Sequence, residues 1–177
     1  MKGNIIHVLQ YIAVKADSAE EAIDNVRIEL ESMLGNDGST TSWYDWFVTG
    51  GGRFNQDSDP YTDGQTNMIV SSHDSEAFEN ILVECIEARM SEFRRYVEEW
   101  KRSNINLDSY FEEFDGAMDY SMKLYSLGKI IDMAQGEWDF NSYFYDLANW
   151  STNPVHMNKE RIEVGTLWFL VPVDFHF

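Results

Sequence analysis

Two histidines and one aspartate near the ends of the chain have side chains suited to acid–base chemistry. Asp174 and His176 are two residues apart, so on a β-strand their side chains would lie on one face. His7 would join them if the terminal strands pair, and an imidazole beside a carboxylate is a common general acid–base arrangement. These residues indicate a small hydrolase as one hypothesis. Neither histidine is followed two residues later by the Ser or Thr of two-histidine phosphoesterases, so structural histidines are the favoured interpretation.

No pattern in the sequence predicts a metal ion or another cofactor. His73 and His156 are far from the other histidines along the chain, and no HExxH motif occurs. The segment Asp57–Gly64 has oxygen-bearing side chains at alternate positions, as the start of a calcium loop does. Its sixth position is Thr62 rather than Gly, and its twelfth is Met68 rather than Glu. We therefore predict an ordinary acidic loop here.

The single cysteine adds no catalytic signal. Cys85 excludes an internal disulfide, and it falls on the apolar side of a predicted long helix. A small buried hydrophobe is the expected role for such a residue. The sequence also has no nucleophile elbow and no dinucleotide-binding fingerprint. We therefore expect a protein that is not an enzyme.

The most distinctive string is an aromatic segment that ends in three glycines and an arginine. It comprises residues 43–54, and its motif residues are Trp43, Asp45, Trp46, Gly50, Gly51, Gly52 and Arg53. The glycines could form a backbone nest for an anion, with Arg53 as a clamp. The favoured prediction is a bulge or tight turn between aromatic strands, in which Arg53 stacks on Trp or pairs with Asp45.

This string is similar to the "WDWY, two residues, GGRW" signature of small proteins from tailed bacteriophages. Many members of that group end in a strand near "VVDCHI", which Val171–Phe177 resembles. The resemblance covers about a quarter of the chain, and it differs at the third glycine and at Phe54. It implies a phage or prophage origin and no particular activity.

The composition describes a folded polyanion. The 177 residues carry a net charge of −18, yet 44% are hydrophobic and 15% are aromatic, which is enough for a packed core. The length predicts a single domain. No apolar run is long enough for a membrane span, and the first residues have no signal-peptide pattern. A cytoplasmic location, in a bacterial host cell, is the expectation.

Part of the negative charge is concentrated in one segment. Residues 103–146 contain nine acids against Lys123 and Lys129, a net charge of −7. Within it we predict a partner-binding face formed by Asp108, Glu112, Glu113, Asp115, Asp119, Asp132, Glu137 and Asp139.

This face suggests a function. We expect a phage-type inhibitor that blocks a basic host nucleic-acid-binding protein, such as a nuclease or CRISPR effector, by DNA or RNA mimicry. Anti-CRISPR and anti-restriction proteins are the analogy. Such a protein would not bind nucleic acid or a membrane itself. The alternative is a structural or regulatory phage protein that self-associates, for example as a homodimer.

The periodicity of the chain predicts an α+β fold. A strand over residues 5–16 is followed by a capped helix over 19–34 and a long helix from Asp74 or Ser75 to Trp100. The N-terminal, Trp43–Phe54 and C-terminal strands should form a small, mainly antiparallel sheet that packs with the long helix. Residues 103–150 are predicted as an inserted helical segment. Pro172 predicts that the last strand lies at an edge or carries a bulge.

Overall fold

The computed structural model describes residues 7–34, 44–104, 122–134, 143–149, 154, 157 and 166–176. The chain divides into two compact units. The first contains Met1–Ile86 and Phe140–Phe177, and the second contains Glu87–Asp139. The described residues form three α-helices and one mixed sheet of five strands, which confirms the α+β class.

The sheet belongs to the first unit and is built around the two terminal strands. Its strands are β1 (His7–Lys15), β2 (Trp46–Thr49), β3 (Val70–Ser71), β4 (Phe144–Asp146) and β5 (Trp168–His176). The order is β2-β5-β1-β4, and β3 also pairs with β5. β1 and β5 are antiparallel over nine residue pairs, from His7 opposite His176 to Lys15 opposite Trp168. β4 is parallel to β1, so the sheet is mixed.

Helix α1 (Ala19–Leu34) covers one face of this sheet. Its N-terminus has the predicted cap, because the Ser18 hydroxyl accepts a hydrogen bond from the Glu21 N–H (3.2 Å). The side chains that face the sheet recur at helical spacing and are buried: Ala22, Ile23, Val26 and Leu30. They pack against inward residues of the two terminal strands, including Ile12 and Phe175.

Helix α2 (Ser75–Ser103) covers the opposite face with its first turns. Asp74 caps it by accepting the Ala77 N–H at 3.3 Å. Phe78, Leu82 and Cys85 pack against residues of β1, β4 and β5, among them Phe144 and Leu170. The side chains of each terminal strand therefore alternate between two apolar cores.

The second unit contains the remainder of α2 and helix α3 (Met122–Ala134). Tyr96 meets Tyr125 edge to face, with ring centres 6.0 Å apart. The Ser126 hydroxyl donates to Glu99 at 3.2 Å. Apolar and polar contacts thus join the two helices. No helix in the described ranges is long and apolar enough to cross a membrane.

Pro172 is wrongly predicted to mark an edge or a bulge, because β5 lies between β1 and the side formed by β2 and β3. Its register with β1 is unbroken. Tyr11, opposite Pro172, donates its N–H to Tyr143 on the β4 side (2.8 Å), so the Pro172 backbone polar atoms face away from β1. On the other side of β5, the last residue of β2 is opposite Val173 and the first residue of β3 is opposite Leu170, so no strand residue pairs with Pro172 there. The missing N–H therefore falls at a gap in the ladder.

Candidate functional site

The register of the terminal strands places two imidazoles side by side. His7 on β1 is directly opposite His176 on β5, and their ring centres are 5.3 Å apart. Directly opposed residues on antiparallel strands have neighbouring side chains. The meeting of His7 and His176, predicted on the condition that the terminal strands pair, is therefore found.

Asp174 pairs with His7 rather than with His176. Its Oδ1 lies 2.9 Å from His7 Nδ1, and the carboxylate is fully buried. Its second oxygen accepts the Arg53 N–H at 3.0 Å. Both oxygens of this buried carboxylate are thus hydrogen-bonded, as a buried charge requires.

The three glycines hold the chain against β5 at this point. The N–H groups of Gly50 and Gly51 donate to the Pro172 carbonyl (2.8 and 2.9 Å). Gly52 has φ +46° and begins a single 3-10 turn (Gly52–Phe54). The predicted tight turn is therefore found, but it follows a strand of only Trp46–Thr49 and leads into the 3-10 turn rather than into a second aromatic strand. The anion that its backbone meets is the chain's own Asp174 carboxylate.

The structure contradicts the predicted contacts of Arg53 with Asp45 and with Trp46, whereas Trp43 lies outside the described residues. Arg53 Nη2 donates to the Tyr61 hydroxyl (3.3 Å), and its guanidinium lies 6.0 Å from the Tyr61 ring centre. Asp45 is engaged by His176 Nδ1 instead. Trp46 stacks on the ring of His176 (centres 4.9 Å apart) and on that of Tyr61 (6.5 Å) rather than on the Arg53 guanidinium.

These contacts define a histidine cluster of His7, Asp45, Trp46, Asp174 and His176. Each imidazole binds a carboxylate through Nδ1, and Trp46 touches both rings, with its centre 5.9 Å from that of His7. The two pairs differ in environment, because Asp174 is buried whereas the Asp45 side chain is 61% exposed. Trp43, also predicted as a motif residue, lies outside the described residues.

The second nitrogen of His7 is enclosed and unsatisfied. The side chain is 10% exposed, and Nε2 has no hydrogen-bond partner in the described part of the chain. When Nδ1 donates to Asp174, the neutral ring presents a lone pair at Nε2. A buried polar atom left without a partner costs about 1–3 kcal/mol. The cluster therefore contains one buried nitrogen, His7 Nε2, that has no hydrogen-bond partner among the described residues.

In the acidic loop after the glycine turn, carboxylates accept hydrogen bonds from other residues of the chain. Asp63 accepts the Thr49 N–H (2.7 Å) through one oxygen and Arg27 Nε (2.9 Å) through the other. Asp59 accepts the Tyr61 N–H at 2.9 Å. These oxygens serve separate partners, and across the described ranges no three His, Cys, Asp or Glu side chains are grouped to hold a metal ion.

Cys85 is buried as expected for a small hydrophobe. Burial, and secondarily the charge of Glu84, raises the pKa of its thiol to about 12. A thiol that remains protonated at neutral pH is a poor nucleophile.

Most of the predicted partner-binding face falls outside the described residues. Of its eight acids only Asp132 is described, on α3. The described part of the second unit has five acids and seven basic residues. The described part of the first unit has sixteen acids and three basic residues, a net charge of −13. Among the described residues, the negative charge is therefore concentrated on the first unit.

The three basic residues in the described part of the first unit are all engaged within it. Arg27 pairs with Asp63 and Asp24, Arg53 contacts Tyr61, and the Lys15 ammonium lies 5.0 Å from the Trp168 ring centre. Several exposed acids have no basic partner in the described ranges: Glu20, Glu31, Asp57, Glu76 and Glu84. We call the exposed acids in the described part of this unit, apart from Asp45 of the histidine cluster, the first-unit acidic surface. The sequence shows the charge count, but the contacts that occupy the basic residues depend on the tertiary fold.

Comparisons with known proteins give no relative of the chain: no protein-family model, no curated protein and no solved structure matches it.

Proposed function

We propose that this chain is an acidic binding protein that occupies the nucleic-acid-binding surface of a basic partner. The observation that supports this most is the first-unit acidic surface, which comprises eleven exposed acids, while the three basic side chains described in this unit are already engaged. A field of one sign attracts a basic surface and repels nucleic acid. In this proposal the partner is a nuclease or CRISPR effector, and the chain is a phage-type inhibitor in a bacterial cytoplasm.

Helix α1 supplies one part of that surface. Glu20, Asp24 and Glu31 are exposed, and their spacing puts them along one side of the helix. They span roughly 16 Å at 1.5 Å per residue, so neighbouring acids are on average about 8 Å apart. Duplex DNA carries one charge per about 1.7 Å of axis. One helix is thus too sparse to copy the phosphate lattice, so we propose electrostatic attraction by several elements.

The hydrolase hypothesis receives less support from the geometry. The three residues that it needs do lie together in the histidine cluster. However, His7 Nε2 is enclosed by protein, and a general base must come within about 2.6–3.2 Å of the proton that it removes. A substrate group, which is larger than a single ion, could reach His7 only if that enclosure opened. We therefore do not base the proposed function on this site.

Affinity capture tests the proposal. The tagged chain is immobilised, exposed to nuclease-treated bacterial lysate at low salt and eluted with a salt gradient. We expect basic nucleic-acid-binding proteins that elute as salt rises and that added duplex DNA displaces. Recovery of no such protein, or of proteins that DNA does not displace, would contradict the proposal.

A further inference from the structure

We propose that His7 and His176 bind one divalent transition-metal ion through their Nε2 atoms. The ion belongs to the class that prefers imidazole ligands, such as Zn²⁺, Ni²⁺ or Cu²⁺. This inference goes beyond the proposed function and does not depend on it, because it concerns the histidine cluster and not the first-unit acidic surface.

The separation of the two rings fits a shared ion. Two Nε2 atoms that each lie about 2.0–2.1 Å from a tetrahedral ion place their ring centres roughly 5 Å apart. The observed separation of the ring centres is 5.3 Å, with the rings inclined at 68°. The rigid β1–β5 ladder sets this separation, since His7 and His176 are opposite each other in an unbroken register.

The hydrogen bonds at Nδ1 are those of metal-binding histidines. An imidazole that binds a metal commonly donates its other ring N–H to a carboxylate, which fixes the tautomer and makes the ligating nitrogen more basic. Both rings have this arrangement, His7 with Asp174 and His176 with Asp45. The carboxylates of Asp45 and Asp174 beside the two imidazoles also supply negative charge, which favours a dication.

The unsatisfied Nε2 of His7 is the atom that points to a ligand. It is enclosed, and in the described part of the chain it has no donor to satisfy its lone pair. A metal ion supplies an electron-pair acceptor there. Because His176 is 15% exposed, water can complete the coordination shell from its side of the pair. Mg²⁺ and Ca²⁺ favour oxygen ligands and are excluded by two nitrogens.

Metal titration of the untagged, full-length chain tests this site. We expect calorimetry to show one Cu²⁺ per chain, with Zn²⁺ binding more weakly and Mg²⁺ not binding. Electron paramagnetic resonance of the Cu²⁺ complex should show coupling to two nitrogens. His7→Gln and His176→Gln should each weaken binding at least about tenfold. His73→Gln is the matched control, because His73 is exposed and lies outside the cluster, and it should bind as the wild type does.

A variant that keeps both histidines separates loss of metal binding from misfolding. Asp45 is exposed, so Asp45→Asn should fold normally and yet weaken Cu²⁺ binding about tenfold through loss of the carboxylate behind His176. Wild-type affinity in Asp45→Asn, His7→Gln or His176→Gln would overturn the proposal. Coupling to a single nitrogen, an equal loss in His73→Gln, or displacement of the ion by Mg²⁺ would do the same.

Discussion

Gly52 lies so close to Asp174 that a Cβ atom at Gly52 would be 2.6 Å from the Asp174 Cβ and 2.7 Å from its Oδ2. This closeness lets the Arg53 N–H reach the buried carboxylate, which in turn binds His7. The glycine turn, the end of β5 and the first residue of β1 are therefore linked through one side chain. Substitutions along this path should affect the fold in a graded way.

Replacement of Gly52 by Ala should be strongly destabilising. The new methyl group would collide with Asp174, and the positive φ would be strained, which together predict a loss of about 2–4 kcal/mol in the free energy of unfolding. Gly64→Ala is the control, since its φ is also positive but its nearest neighbour is the flexible end of Arg27 at 3.2 Å. Urea denaturation measures both. Equal losses would show that Asp174 does not crowd Gly52.

The two carboxylates of the histidine cluster should differ in their effect on stability. Asp174→Ala removes a buried acceptor from His7 and from the Arg53 N–H, for an expected loss of about 2–4 kcal/mol. Asp45→Ala removes an exposed partner of His176 and should cost less than about 1 kcal/mol. Chemical denaturation of both variants makes the comparison. A larger loss for Asp45→Ala would contradict the structure.

Cys85 should resist alkylation while the chain is folded. Its thiol is buried, with a pKa raised to about 12, so little thiolate is present at pH 8. Mass spectrometry after iodoacetamide treatment should show slow labelling of the native chain and rapid labelling in urea. Equal rates in the two conditions would mean that the α2 face is open.

Alkaline pH should destabilise the fold partly through the same thiol. A pKa raised above the ordinary 9.0 in the folded state gives stability that is complete below about pH 9 and is lost as pH rises toward 12. Burial also raises the pKa of Tyr11. The free energy of unfolding should therefore be lower at pH 10 than at pH 8, and by a smaller margin in Cys85→Ala. An identical pH dependence in that variant would contradict a raised Cys85 pKa.

The elements with local signals could be predicted from the sequence. The capping residues Ser18 and Asp74 and the apolar spacing identify α1 and α2, and alternation identifies the terminal strands. The parallel pairing of β4 with β1 joins residues more than 130 apart, and no local pattern encodes it. Asp45 likewise takes a partner, His176, that becomes its neighbour only when β2 and β5 pair. Arg53 instead contacts Tyr61 in the loop that follows the glycine turn.

The candidate site was predicted only in outline. The two-residue spacing of Asp174 and His176 indicated a shared strand face, but the register shows that Asp174 binds the opposite histidine. The concentration of charge on the first unit depends on which segments assemble there. The predicted partner-binding residues Glu112, Glu113, Asp115 and Asp119 lie outside the described ranges, so their role stays a prediction.

Making the same change in charge in each of the two units tests most directly whether the first-unit acidic surface binds the partner. Glu20→Lys, Asp24→Lys and Glu31→Lys together alter the first-unit acidic surface, while Glu87→Lys, Glu98→Lys and Glu99→Lys make an equal change in the second unit. Circular dichroism checks that both variants fold. Their dissociation constants for a captured basic partner are then measured at low and high salt.

We predict that the first triple variant binds roughly ten- to a hundredfold more weakly, at about 0.5–1 kcal/mol for each charge, and responds less to salt. The second should bind as the wild type does. Equal weakening in both variants would mean that only net charge matters. Unchanged binding in the first would contradict the role of the first-unit acidic surface.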